Sequence, residues 1–194
     1  MRERKLTGIG TTAIHAAGND HADHAHHAPI YASSTFTFDS AAEGSERFAG
    51  TDKTRIYSRW GNPTFTAAEN TITALETFGV TDTDGSPLKV KALLHASGQA
   101  ALTTLFLGNL KSGDAVLSHK ALYGGTHELL HKVFENTGIQ PIIIDFHDLS
   151  LLERTLSTNK HIQLVHIETP SNPTLRCIDI ETVSLIAKKF GKLV

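Results

Sequence analysis

From residue 62 onward, short apolar runs alternate with helix-length amphipathic segments, and few architectures accommodate that alternation. Asn62 can cap a helix whose first position is Pro63, with Phe65, Ala68, Ile72 and Leu75 forming one apolar stripe at helical spacing. VKALLHA (90–96) follows as a strand pattern, and SGQAALTTLFLGNL reads as a helix ending near Gly108. DAVLSH (114–119) is a strand, and THELLHKVFENTG is a helix with Leu129, Leu130, Val133 and Phe134 facing inward and Gly138 as its C-terminal turn. PIIIDF (141–146) and IQLVHIE (162–168) are further strands; Asp148 and Asp179 are placed to cap the helices after them, the second ending at Gly191. The strands are short and apolar, as expected where both faces are covered, so the fold expected is α/β with a largely parallel sheet.

Residues 1–60 lack this regularity. They carry five of the twelve histidines, many turn residues and little helical periodicity, and read as an extended arm. An arm that cannot bury itself packs on something else, here expected to be a second subunit; residues 61–194 form the expected domain. His15, His21, His24, His26 and His27 have no cysteine nearby and no clear helix to align them, so no metal site is expected. The formal charge of −2 gives no electrostatic case for nucleic acid or an anionic membrane. No run of about 18 apolar residues exists to span a bilayer. The single cysteine, Cys177, excludes an intrachain disulfide and suits a reducing compartment, so a cytoplasmic location is expected.

Several short motifs sit where strands pass into helices. Ser97-Gly98-Gln99 opens a helix; glycine admits a ligand to the backbone, and free N–H groups at a helix start attract phosphate. Tyr123 in YGGT (123–126) follows a strand, where it can stack on a flat ring, move a proton or simply pack on a turn. Pro170-Ser171-Asn172-Pro173 makes a stiff turn that holds Asn172, with Glu168 at the strand end before it. Tyr57-Ser58-Arg59 closes the arm, and arginine suits phosphate through its paired donors, although a surface ion pair is its commoner use. GIG (8–10) follows no strand and lacks a third glycine, which argues against a dinucleotide-binding oxidoreductase.

In combination these residues resemble the Cys/Met metabolism, or trans-sulfuration, family of pyridoxal-phosphate (PLP) enzymes. HAPIYASSTFTF, FAG, YSRWGNPT, ASGQAA, YGGT and ETPSNPT occur in the family's order and at about its spacing. The resemblance implies the fold-type I, aspartate-aminotransferase-like large domain, a homotetramer built as a dimer of dimers, and an amino-acid substrate. It implies that Ser97, Gly98 and Gln99 cradle the cofactor phosphate. Tyr57 and Arg59 would reach the phosphate of the neighbouring subunit. Tyr123 would stack on the pyridine ring and assist proton transfer. Asn172 would sit near the ring oxygen, with Glu168 in support.

The same resemblance gives the terminal KLV a meaning. In the family this strand continues to V-D-N-T, whose aspartate holds the pyridine nitrogen, and then to an S-x-T-K motif that supplies the cofactor-linking lysine. Neither motif is present, and Ser118-His119-Lys120 belongs to a strand-turn, so Lys120 is expected to be a surface lysine. The chain is therefore expected to be an N-terminal portion, inactive alone. The chemistry implied is γ-elimination of the methionine or cystathionine γ-lyase kind. The alternative is γ-replacement, as in cystathionine γ-synthase or O-acetylhomoserine sulfhydrylase. Gly125 stands where methionine γ-lyases carry a cysteine, which counts against strict methionine specificity. A different class, a non-catalytic half-protein binding a full-length paralogue, would be marked by a genuine stop after Val194.

Overall fold

The computed structural model describes residues 7–18, 25–50 and 55–194. The chain divides into two compact units, Met1–Leu94 and His95–Val194. No helix among the described residues is long and apolar enough to cross a membrane.

The first unit holds helices α1 (Ile9–His15), α2 (Ala41–Phe48) and α3 (Pro63–Glu76). Asn62 caps α3 as the sequence implies, its Oδ1 accepting the Thr64 N–H, while its amide donates to the Tyr31 carbonyl and ties the preceding segment down. The α3 stripe differs from expectation: Phe65, Ala68 and Ile72 are exposed and Leu75 is half-buried. Periodicity marks a face that prefers cover, and this unit supplies little cover. Ile56 is its one buried hydrophobic side chain among the described residues. The strand expected at 90–96 is also absent, because its amides are bonded to helix side chains rather than to a neighbouring strand. The Ala92 N–H donates to Thr73 Oγ1 (2.9 Å) and the Leu94 N–H to Glu69 Oε1 (3.0 Å).

The second unit is a parallel sheet covered on both faces. Strands β1 (Ala115–His119), β2 (Gln140–Ile144) and β3 (Ile162–His166) lie in the order β2-β1-β3. Every residue of β1 is buried, as befits a central strand. Ala115 and Leu117 point into a cluster with Phe146, Leu152, Leu156, Val183 and Ala187. Val116 points the other way, into Phe106, Leu110, Leu130, Phe134 and Ile139. The first face is covered by α6 (Leu149–Thr158) and α7 (Ile180–Lys189), the second by α4 (Gly98–Asn109) and the helical segment that α5 (Gly124–Glu128) begins. That segment tightens and loosens along its length, passing through π geometry at Leu129–Phe134 before Gly138 ends it at φ 82°. Leu130 and Phe134 are buried as expected and Leu129 packs beside them, whereas Val133 is 48% exposed because the π turn rotates it off the core. Asp148 and Asp179 cap α6 and α7, accepting the N–H groups of Leu151 and Thr182. After Gly191, Leu193 pairs with β3: its N–H donates to the Gln163 carbonyl and its carbonyl accepts the Val165 N–H.

Candidate active site

The carboxyl ends of β1 and β3 and the start of α4 bring together five of the expected residues, Ser97, Gly98, Gln99, Tyr123 and Glu168. Ser97 caps α4: its Oγ accepts the Ala100 N–H (3.1 Å) and its carbonyl accepts the Ala101 N–H (3.0 Å). The amides of Gly98 and Gln99 have no intrahelical acceptor, as at the start of any helix, and they stand at its positive end. A Cβ at Gly98 would meet nothing within 4 Å, so the backbone there is open to a ligand.

Tyr123 stands just before α5 and is half exposed. Its N–H donates to Glu168 Oε2 at 2.6 Å, linking the turn after β1 to the turn after β3. The ring lies over Gly125. A Cβ there would sit 2.5 Å from Tyr123 Cε1 and 3.1 Å from Gln99 Nε2, so only glycine at 125 lets the phenol and the Gln99 carboxamide converge as they do. Asn172 is exposed, in the same connection as Glu168, on a turn anchored by buried Ser171, whose N–H donates to the Arg176 carbonyl (2.9 Å). Tyr57 and Arg59 lie in the first unit, where the guanidinium stacks 5.1 Å over the Tyr57 ring and 6.0 Å from that of Trp60.

Two features escaped the sequence reading. One is His166, whose Nε2 lies 3.3 Å from Glu168 Oε1; residues 166 and 168 are two apart, the spacing that puts side chains on one side of an extended chain. The other is the cluster of His119, Asp145 and His147, whose ligand atoms lie within 4.8 Å of one another. His119 Nε2 is buried without a partner among the described residues, while the other donor atoms are engaged within the protein. His119 Nδ1 accepts the Phe146 N–H (3.0 Å), His147 Nδ1 donates to Asp145 Oδ1 (2.8 Å), and Lys120 Nζ pairs with Asp145 Oδ2 (2.6 Å). The hydrogen bond from Lys120 above all, then those from His147, hold the Asp145 carboxyl far below its ordinary range. Lys120 is thus a surface lysine in an ion pair, half exposed. Of the arm histidines, His26 and His27 meet edge to face, His15 ends α1, and His21 and His24 lie outside the described residues.

His119 is fully buried, and loss of hydration pushes its pKa below the ordinary value. The sign follows: the unfolded chain takes up a proton at about pH 6.5 that the folded chain resists, so His119 adds stability above that pH and loses it as pH falls. Stability should therefore decline from pH 7 to pH 5, this one group adding at most about 1.4 kcal/mol per pH unit. His119→Gln, which keeps an acceptor for the Phe146 N–H, should flatten the slope in urea melts at several pH values. An unchanged slope would show that His119 does not carry it.

The family model for the Cys/Met metabolism PLP-dependent enzymes matches residues 10–194. An L-methionine gamma-lyase of Fusobacterium nucleatum is 37% identical over 95% of this chain and 44% of its own length. An O-succinylhomoserine sulfhydrylase of Pseudomonas aeruginosa is 32% identical over 94% of this chain and 42% of its own. Among solved structures, a Lactobacillus plantarum cystathionine gamma-lyase complexed with L-serine superposes with a TM-score of 0.78 at 29% identity, covering 96% of this chain and 43% of that one. A Campylobacter jejuni protein, solved with a pyridoxyl-lysine monophosphate residue, gives 0.81 at 28% identity, covering 95% and 42%. The fold is that of the fold-type I PLP-dependent enzymes, and the chain spans less than half the length of these relatives. With a match over residues 10–194, this chain belongs to the Cys/Met metabolism family of PLP-dependent enzymes.

Proposed function

We propose that the chain forms the phosphate-cradling and ring-stacking part of a cytoplasmic trans-sulfuration enzyme. This enzyme acts on sulfur amino acids or activated homoserine by γ-elimination, with γ-replacement as the second reading. The observation that carries it is the convergence of the open α4 start, the Tyr123 ring and the Glu168 carboxylate within one unit. The residues present fit the cofactor. Gly98 and Gln99 offer two amides to a phosphate, Tyr123 offers an aromatic face, and Gly125 leaves room for both. Bound there, pyridoxal phosphate supplies the electron sink for charge developing on a substrate amino acid. Tyr123 orients the ring and holds or moves a proton at its phenol oxygen, and Asn172 offers an amide to the ring oxygen.

Tyr57 and Arg59 reach the phosphate site of a neighbouring subunit in the homotetramer. The exposed Tyr57, Trp60 and Phe48 support this, being an aromatic surface that the first unit leaves uncovered. Relatives carrying lyase and sulfhydrylase names are both similar to this chain, which is why elimination and replacement both stay in the reading.

Gly98→Pro tests the cradle. Proline is favoured at the first helical position and Ser97 is already extended (φ −162°, ψ 164°), so α4 keeps its start while one donor disappears. The native chain should bind pyridoxal phosphate saturably, in competition with inorganic phosphate, by fluorescence titration. The variant should bind about ten-fold or more weakly, as expected for losing a hydrogen bond to a charged group. Absent binding by the native chain, or undiminished binding by the variant, would overturn the assignment.

A further inference from the structure

We propose that His166 is a positioning residue of this site: it sets the Glu168 carboxylate, and through it the Tyr123 turn. The inference rests on the reading of Tyr123 as the ring-stacking residue and adds what holds that residue in place. His166 ends β3 and is buried. It is held from two directions: its carbonyl accepts the Ser118 Oγ–H of β1 (3.2 Å), and its ring meets Phe106 of α4 edge to face at 5.4 Å. Its Nε2 then lies 3.3 Å from Glu168 Oε1. An ionised carboxylate only accepts, so Nε2 carries the hydrogen. The other oxygen, Oε2, takes the Tyr123 N–H at 2.6 Å.

The order of constraint runs outward from the core. A glutamate on a connection has several rotamers, and restricting it costs side-chain entropy. Anchoring one oxygen on an immobile imidazole selects the rotamer whose second oxygen meets the Tyr123 amide. Tyr123 immediately precedes α5 and its ring lies over Gly125, so fixing its backbone restricts where the phenol stands.

The test uses the whole chain labelled with 3-fluorotyrosine. It has three tyrosines, Tyr31, Tyr57 and Tyr123, and Tyr123→Phe assigns the signal of interest. His166→Phe keeps an aromatic ring against Phe106 but removes the donor; His166→Gln restores an N–H. The expected result is that His166→Phe shifts the Tyr123 fluorine signal, leaves those of Tyr31 and Tyr57 in place, and weakens pyridoxal phosphate binding roughly three- to ten-fold. His166→Gln should return both toward native. An unmoved Tyr123 signal, movement of all three signals, or failure of His166→Gln to restore would each overturn the proposal. If Tyr123 responds but the native chain binds no pyridoxal phosphate, the clamp stands and the functional reading falls. If the native chain binds and Tyr123 does not respond, the reverse holds.

Discussion

Phe106→Ala lowers the stability of the second unit by about 3–5 kcal/mol, the range for deleting a buried aromatic side chain. Phe106 is completely buried in α4 and packs edge to face on Phe134 (5.5 Å) and His166 (5.4 Å). Two costs combine: lost transfer of apolar surface from water, and a cavity that the surrounding strand and helices cannot close. Val116 and Leu164, which share this cluster, come from hydrogen-bonded strands, and Leu130 from the helical segment packed on them, so collapse is limited. A small domain has only about 5–15 kcal/mol in total, so the variant is expected to be partly unfolded at 37 °C. Urea melts followed by circular dichroism check this. Phe106→Leu, which refills most of the volume, should recover more than half of the loss. A loss under about 1 kcal/mol for Phe106→Ala would mean that the site collapses freely and that the core is not organised around this ring.

The elements that sequence reasoning found are those written locally. Asn62, Asp148 and Asp179 each accept an N–H two or three residues ahead, and such caps depend on nothing distant. Strands 115–119, 140–144 and 162–166 were legible because both faces of a parallel sheet demand apolar residues in a short run. What misled was non-local. VKALLHA has the composition of a strand, yet pairing depends on what lies alongside, and here Thr73 and Glu69 of α3 take two of its amides. The exposed Phe65 and Ile72 make the same point, since a helical stripe reveals a preference for burial and not its fulfilment.

At the site the contrast is finer. Gly98, Tyr123 and Glu168 were singled out as candidates through their motifs, since glycine suits the proposed phosphate cradle and an aromatic suits a ring. That Glu168 spends one oxygen on the Tyr123 backbone and the other on His166 was not legible. It depends on how far apart β1 and β3 lie and on which rotamer Phe106 leaves open. The spacing of His166 and Glu168 was the one available signal. It is weak alone, because any extended chain places alternate residues together.

Borohydride reduction of the chain saturated with pyridoxal phosphate yields no single-site lysine adduct, and the chain releases no 2-oxo acid from methionine or cystathionine above the rate of the free cofactor. A lysine that attacks a carbonyl at neutral pH must first lose its proton, which requires an apolar pocket or a neighbouring cation. Among the described lysines only Lys192 is even half-buried; the other eight are exposed. Lys120, nearest in sequence to Tyr123, faces the opposite electrostatics, because its ammonium is paired with the Asp145 carboxylate at 2.6 Å. That contact engages the nitrogen that would have to attack. The phosphate binding proposed for Gly98 and Gln99 is separable from covalent capture, so titration should show saturable binding while mass spectrometry after reduction shows only scattered, substoichiometric labelling. A stoichiometric adduct at one lysine would overturn the expectation and, at Lys120, would show that the Asp145 pair breaks when the cofactor binds. Lys120→Met would then abolish the adduct. If the expectation holds, Lys120→Met leaves cofactor binding unchanged.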